Sequence, residues 1–376
     1  MVLSNFNHVR VSGILGVIPQ KYINIDDEIE FYNNDEKLLE RNKKILGLGK
    51  RHVVEEGTTT VDLCEDAALR LIDNLNIDKE KIESVIFVSV THDYYYPASA
   101  CLIHARLGLS EKCLCYDVSG LACSGYVHGL IQAHALIESG VVKNCLLLAG
   151  DIASTFTDRR NRINNMLFGD AGTVTFLEYK EDNNPSFFLN GTRGSGWDRL
   201  ITPAGGKRLP IRKDITDIEV KDENNNIWYL WNDSMKGMDI FKFTMEVGPA
   251  SIKELLKYSG KTISDIDFFA IHQANGQIVK TVATHAGVPK EKYSNETFNK
   301  YANCAAASVA TVILDKCKDK KTVFLCTFGV GLSFGSSILN LENTKNYGIQ
   351  FYTPRRENLS RKELIEYWQN FFKNKI

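Results

Sequence analysis

The chain has 376 residues, 44% of them hydrophobic, and sets 45 basic side chains against 46 acidic ones. That length supports a large core, in two or more domains or in one architecture of two halves, and the balanced charge excludes a whole-protein field for nucleic acid or anionic membrane. The nine cysteines are odd in number and sit mostly inside apolar runs, which excludes a disulfide framework; Cys113 and Cys115 have no partner pair or histidine at zinc spacing, so no metal site is expected.

The start, MVLSNFNHVR, has no basic opening that leads into a long apolar run, and no stretch approaches about 18 uninterrupted apolar residues. The expectation is a reduced, cytoplasmic protein without a membrane span. In chain order, a strand-like run at 8–19 precedes a polar helical stretch at 26–46 and an amphipathic helix at 60–75. A strand at 84–91, a helix around 98–109, a strand at 113–119, a helix at 124–140 and a strand at 144–152 follow, and a further strand runs through GDAGTVTFLEY at 169–179. Apolar runs of strand length separated by helices indicate buried strands in an α/β protein.

The polar stretch KEDNNPS reads as a junction, after which the same grammar repeats: helix 238–259, strand 265–273, helices at 276–287 and 305–317, strands at 322–329 and 332–341. The division drawn from this is 1–181 and 182–344, two halves suggestive of a duplicated unit, followed by a tail at 345–376. Residues 205–236 read as a surface insertion, whose Trp228, Tyr229 and Trp231 form either a hairpin packed on the body or a lip over a pocket. In the tail, SRKE is a capping box, and Leu364, Tyr367, Trp368, Phe371 and Phe372 fall on one helical face that is expected to dock on its own protein.

Three segments rich in small residues each present one reactive side chain: Cys123 in GLACSG, His272 in FFAIHQANGQI and Asn303 in KYANCAAAS. Singly these read as a buried thiol, a core histidine and a capping asparagine. A thiol at a tight turn that opens a helix can also be a nucleophile, because backbone N–H groups and the helix dipole favour its thiolate.

Taken in order, YDVSGLACSGY, LFGDAGTVTFL at 167–177, IHQAN at 271–275, YANCAAASVA at 301–310 and TFGVGLSFGSSIL resemble the thiolase superfamily, and within it the β-ketoacyl-acyl carrier protein synthase III group. The resemblance covers about residues 8 to 341. It implies a five-layered αβαβα fold of two pseudo-symmetric halves and a homodimer. It assigns Cys123 as the acyl-accepting nucleophile, His272 and Asn303 as its partners, and the backbone N–H groups of Cys123 and Val330 as an oxyanion hole. Acyl carrier protein or coenzyme A thioesters are the implied partners, with no cofactor; no GxGxxG opens a helix after the first strand.

Asparagine at 303 points away from true thiolases and hydroxymethylglutaryl-CoA synthases. Against the family pattern, Arg41 and Ile45 stand where a Trp and an Arg grip the adenine, whereas Arg162 matches an arginine near the nucleotide. Gln277 replaces an arginine that helps seat the carrier protein, and Tyr96 falls where an aromatic bounds the partner's acyl pocket, which would favour a short acyl chain. Gln273 and Asn275, in the same motif as His272, are candidate substrate-binding residues. These departures, with the insertion and the tail, suggest a specialised pathway enzyme. The alternatives are an acyltransferase to an amine or hydroxyl, in which no enolate clamp is needed, and a non-catalytic binding subunit, which the presence of Cys123 disfavours.

Overall fold

The computed structural model describes residues 1–162, 164–222 and 226–373; the remaining residues of the insertion, the Arg162 block and the tail lie outside the described residues. In chain order the first part runs β1 (Val2–Phe6), β2 (Val9–Ile18), α1 (Glu36–Leu46), α2 (Thr60–Leu75), β3 (Ser84–Ser89), α3 (Ser99–Leu107), β4 (Leu114–Ser119), α4 (Gly125–Glu138), β5 (Asn144–Asp151) and β6 (Ala171–Tyr179). The second runs β7 (Ser186–Thr192), α5 (Gly237–Ser259), β8 (Phe268–Ile271), α6 (Gly276–Ala286), α7 (Ser308–Lys316), β9 (Thr322–Gly329), β10 (Ser333–Asn340), β11 (Lys345–Phe351) and α8 (Arg361–Lys373).

Two sheets result, with orders β11-β2-β6-β5-β3-β4 and β1-β7-β10-β9-β8. The halves repeat one another: β2-β6-β5-β3 and β7-β10-β9-β8 each pair antiparallel, antiparallel, then parallel. The edges are exchanged, since β1 joins the second sheet and β11 the first. The division at 181 and 344 therefore needs correction at its ends. Residues 345–351, placed in the tail by composition, are a sheet strand, because pairing with β2 satisfies backbone groups that a free tail would leave to water.

Five layers follow from which faces are apolar. Helices α4 and α7 lie between the sheets, where Val127, Leu130, Ala133, Val309, Ala310 and Ile313 pack against strand residues from both sides. A helix covered on every side must be hydrophobic all round, which is why α4 reads as an almost unbroken apolar run. Helices α2 and α3 cover the outer face of the first sheet, and α5 and α6 that of the second.

Some boundaries differ from expectation for local reasons. The polar stretch at 26–46 is a 3-10 segment, Ile25–Tyr32, followed by α1, and the break falls at Asn33 and Asn34, both at φ 57°. Asparagine tolerates that left-handed geometry where most side chains do not. The tail capping box forms: Ser360 N–H donates to Glu363 Oε2 (2.7 Å) and Glu363 N–H to Ser360 Oγ (3.3 Å). Yet the apolar face of α8 is only partly docked, with Trp368 and Phe371 half-buried while Leu364, Ile365, Tyr367 and Phe372 stay exposed. The insertion folds as a hairpin, Glu219–Lys221 against Ile227–Tyr229, in which Tyr229 stacks on Trp231. That is the packed alternative; none of its three aromatics lines the large cavity described below.

Candidate active site

Cys123 sits in a single 3-10 turn, Ala122–Ser124, between the end of β4 and the start of α4. The turn is reached through Gly120 at φ 79° and Ala122 at φ 43°, so the chain reverses within a few residues and turns the thiol inward. Gly329 lies against it: a Cβ there would come within 2.4 Å of Leu121 O and 2.7 Å of Ser124 N. Here the small residue is needed because one backbone rests on another.

His272 follows the last residue of β8, and its N–H still bonds Cys326 O (2.9 Å). Its ring Nδ1 lies 2.9 Å from Ser308 Oγ, which also accepts from the Gln273 N–H at 3.1 Å. A Ser308 O–H donated to Nδ1 is the arrangement in which a neutral ring carries its proton on Nε2. Burial pushes the His272 pKa down to about 3, so the ring is neutral at physiological pH, and Phe328 lies edge-on to it at 5.2 Å.

Asn303 is pinned by its backbone to 167–169, donating to Leu167 O (2.8 Å) and accepting from Gly169 N–H (3.1 Å). Its Oδ1 accepts from Ala305 N–H (3.0 Å), which orients the amide, and the amide lies 3.9 Å from Cys123 Sγ. Burial, with the Asp151 carboxylate adding, pushes the Cys123 thiol up to about 12 against the pull of Asn303. Burial thus opposes the thiolate that the turn opening α4 favours.

A cavity of about 870 Å³ joins these three groups. Its walls are mostly apolar, including Leu200, Ile201, Met235, Met238, Phe241 and Phe243, with Val330 beside Cys123. Ser333 Oγ donates to Val330 O (2.6 Å) and so fixes the 330–331 peptide. Among the described residues no group of His, Cys, Asp and Glu could hold a metal ion, and no helix is long and apolar enough to cross a membrane.

The remaining sequence candidates separate. Asn275 lines the cavity while its Oδ1 caps α6 through Ile278 N–H (2.9 Å), and Gln277 lines it too. Gln273 does not: it is fully buried, its amide donating to Ile271 O and Ser294 O and accepting from Phe298 N–H, so it serves local backbone groups rather than a substrate. Arg162 is tied to the insertion through Asn226 Oδ1 (3.1 Å). Tyr96 is 85% exposed and does not line the cavity of its own chain, which its neighbour Tyr95 lines instead. Arg41 and Ile45 lie exposed on α1 and do not line it.

Sequence reasoning missed Ser308, Phe328 and above all Asp151. This fully buried carboxylate ends β5 and accepts from Val90 N–H (2.8 Å), Thr91 N–H (3.1 Å), the hydroxyls of Ser89 and Thr91, and Ala306 N–H (2.9 Å). It thereby ties the first sheet to the turn after Asn303. An acid closing the apolar run NCLLLAGD was the signal available.

A cysteine in a tight turn that shares one cavity with a neutral histidine and an asparagine, between two sheets of like topology, is the arrangement that the resemblance to condensing enzymes of the thiolase type implies. Comparison with known proteins narrows this. Residues 116–192 match the family described as 3-Oxoacyl-[acyl-carrier-protein (ACP)] synthase III, and residues 256–341 its C-terminal part. A Campylobacter jejuni relative is 37% identical, covering 94% of this chain and 99% of its own; a beta-ketoacyl-[acyl-carrier-protein] synthase III of Acholeplasma laidlawii is 31% identical over 84% and 95%. The crystal structure of a 3-oxoacyl-(acyl-carrier protein) synthase from Burkholderia xenovorans superposes with a TM-score of 0.83 at 30% identity, covering 93% of this chain and 99% of that one. The chain belongs to the 3-oxoacyl-[acyl-carrier-protein] synthase III family of condensing enzymes.

Proposed function

We propose that Cys123 takes an acyl group from a thioester and that the acyl-enzyme then undergoes decarboxylative Claisen condensation with a malonyl thioester. In loading, Sγ attacks the thioester carbonyl, the donor's sulfur leaves with the thiol proton, and the Cys123 and Val330 N–H groups hold the oxyanion. In condensation the malonyl thioester loses CO₂, and the enolate carbon attacks the acyl carbonyl. Cys123 sulfur then departs and is reprotonated, leaving a β-ketoacyl thioester.

The observation that carries this reading is the pairing of a neutral His272, held at Nδ1 by Ser308, with the oriented Asn303 amide beside a buried thiol. Two neutral donors stabilise charge that develops on the malonyl thioester oxygen, where a carboxylate would repel it. The long apolar cavity supports an acyl chain as the loaded group, and Lys207, 5.8 Å from the centre of the cavity-lining Tyr95 ring, supplies a cation for a carrier-protein or coenzyme A phosphate. A homodimer is part of the proposal: exposed Tyr96 then reaches the partner's cavity. Departures at Arg41, Ile45 and Gln277 support a specialised pathway over general fatty acid initiation.

Intact mass after incubation with acyl-coenzyme A and acyl-carrier-protein panels, followed by malonyl-carrier protein, tests the reading. The expected result is an adduct that depends on Cys123 and is discharged to a β-ketoacyl product. Discharge only by an amine or alcohol would replace condensation with acyl transfer.

A further inference from the structure

The C-terminal segment is fastened to the body by buried charge. Asp66 is fully buried and accepts from Thr353 N–H (3.0 Å) and Arg355 Nε (2.6 Å), while Arg356 grips Glu65 with bonds of 2.6 and 3.1 Å. Asn358 Nδ2 then bonds Thr58 Oγ1 (2.9 Å). Asp66 also pairs with Arg70 and Glu65 with Arg106, so the tail arginines join two ion-pair clusters that the body itself builds. They deliver α8 beside the loop at 92–98, where Trp368 meets Tyr94 edge-on at 5.9 Å.

Within one chain, that loop is fixed at both feet and open at its apex. His92 lies against Ser99 Oγ (3.2 Å) and Ser119 Oγ (2.9 Å), and the Asp117 carboxylate accepts from Ser99 N–H (2.7 Å) and Ala100 N–H (2.8 Å). Between the feet stand Tyr94, Tyr95 and Tyr96, and Tyr95 lines the cavity although it is 77% exposed. It is therefore a wall at the mouth. Among the described residues, Trp368 on Tyr94 and Lys207 over Tyr95 steady the apex. A second link joins the tail to the same loop, since Thr59, next to the Thr58 that Asn358 holds, donates to Asp93 Oδ2 (3.0 Å) just before Tyr94.

We propose that α8 is a brace for the aromatic loop at the cavity mouth, and that Trp368 is a positioning residue which, through Tyr94 and Tyr95, sets which acyl chains reach Cys123. The statement about acyl chains rests on the condensing reading above; the bracing does not. It also gives the exposed helix a task that its few contacts with the core do not: α8 needs only one well-placed ring to restrain the loop.

The test uses the full chain with Trp368→Ala, Trp368→Phe and Tyr94→Ala, each checked for an unchanged melting temperature. Two readouts are taken: the rate at which iodoacetamide alkylates Cys123, and the acylation of Cys123 by coenzyme A thioesters from acetyl to dodecanoyl. Loss of one edge-on aromatic contact is expected to speed alkylation and to raise KM for the preferred donor by roughly 2- to 10-fold, with kcat within about 2-fold. The preference should broaden toward longer chains, and Trp368→Phe should restore it. If Trp368→Ala and Tyr94→Ala leave both alkylation and chain preference as in the wild type, the brace is overturned. If alkylation responds but the wild-type chain accepts no acyl donor, the brace stands and the condensing reading falls.

Discussion

The two turns that precede α4 and α7 are built alike and do different work. Each is a single 3-10 turn entered through an alanine in the left-handed region, Ala122 and Ala305, both at φ 43°, and each leads into a helix of the central layer. In the first half the next residue is Cys123; in the second it is Ala306. Each turn is also served by the opposite half. The end of β9 lays Gly329 and Val330 on the Cys123 turn, and the end of β5 offers the Asp151 carboxylate to Ala306 N–H. One backbone device therefore holds the proposed nucleophile in one copy and a structural tie in the other, and side-chain identity separates them.

The comparison can be broken most completely at its reactive member. Cys123→Ala makes the two turns chemically alike, and mass spectrometry should find no acyl adduct from any donor. Next, His272→Ala and Asn303→Ala should leave acylation of Cys123 measurable while slowing release of CO₂ from malonyl thioester by about 100- to 1000-fold each, since each removes one donor to the enolate oxygen. Equal losses in both steps would argue against that division of roles.

Breaking the tie in the second turn should have a smaller effect. Asp151→Asn replaces an acceptor by an amide that cannot serve every donor around it, and should cost about 1–3 kcal/mol in urea unfolding, with slower acylation as Asn303 loses its fixed neighbour. Gly329→Ala presses a methyl on Leu121 O and Ser124 N and should destabilise by about 1–3 kcal/mol while also lowering the acylation rate. The corresponding tie is then shown to matter from both directions.

The smallest expected effect is with pH. Burial holds the pKa of His272 down to about 3, from an ordinary 6.5. Below pH 6.5 the unfolded chain binds a proton that the folded chain refuses, so this contribution is whole above that pH and is lost as pH falls toward 3. Buried His134, held down to about 4, adds to the same acid limb. Thermal unfolding between pH 7 and 5 should thus fall less steeply in His272→Gln than in the wild type.

Much of the site was legible because its chemistry is carried in short local motifs. Cys123, His272 and Asn303 stood out by residue type, small neighbours and order along the chain, and the alternation of apolar runs marked the strands and helices that carry them. Ser308 and Asp151 did not stand out, since a serine near a helix start and an acid after a strand acquire meaning only when another part of the chain comes to them. Gln273 misled for the opposite reason: it shares the motif of His272 but turns toward Ser294 and Phe298. The tail misled at β11, which belongs to a sheet whose partner strand is more than 300 residues away, while α8 docks on its own chain in part, with Trp368 against Tyr94.

By itself the sequence determined the class of fold and the repeated order of elements, because periodicity acts over a few neighbouring positions, and its ordered motifs pointed by resemblance to the candidate trio. Only the tertiary structure decided that burial opposes charge on Cys123, that Ser308 holds the histidine ring, that Asp151 joins the halves and that Trp368 of the tail meets Tyr94. Those properties depend on burial and on contacts between distant segments, and both come into being only when the chain is packed.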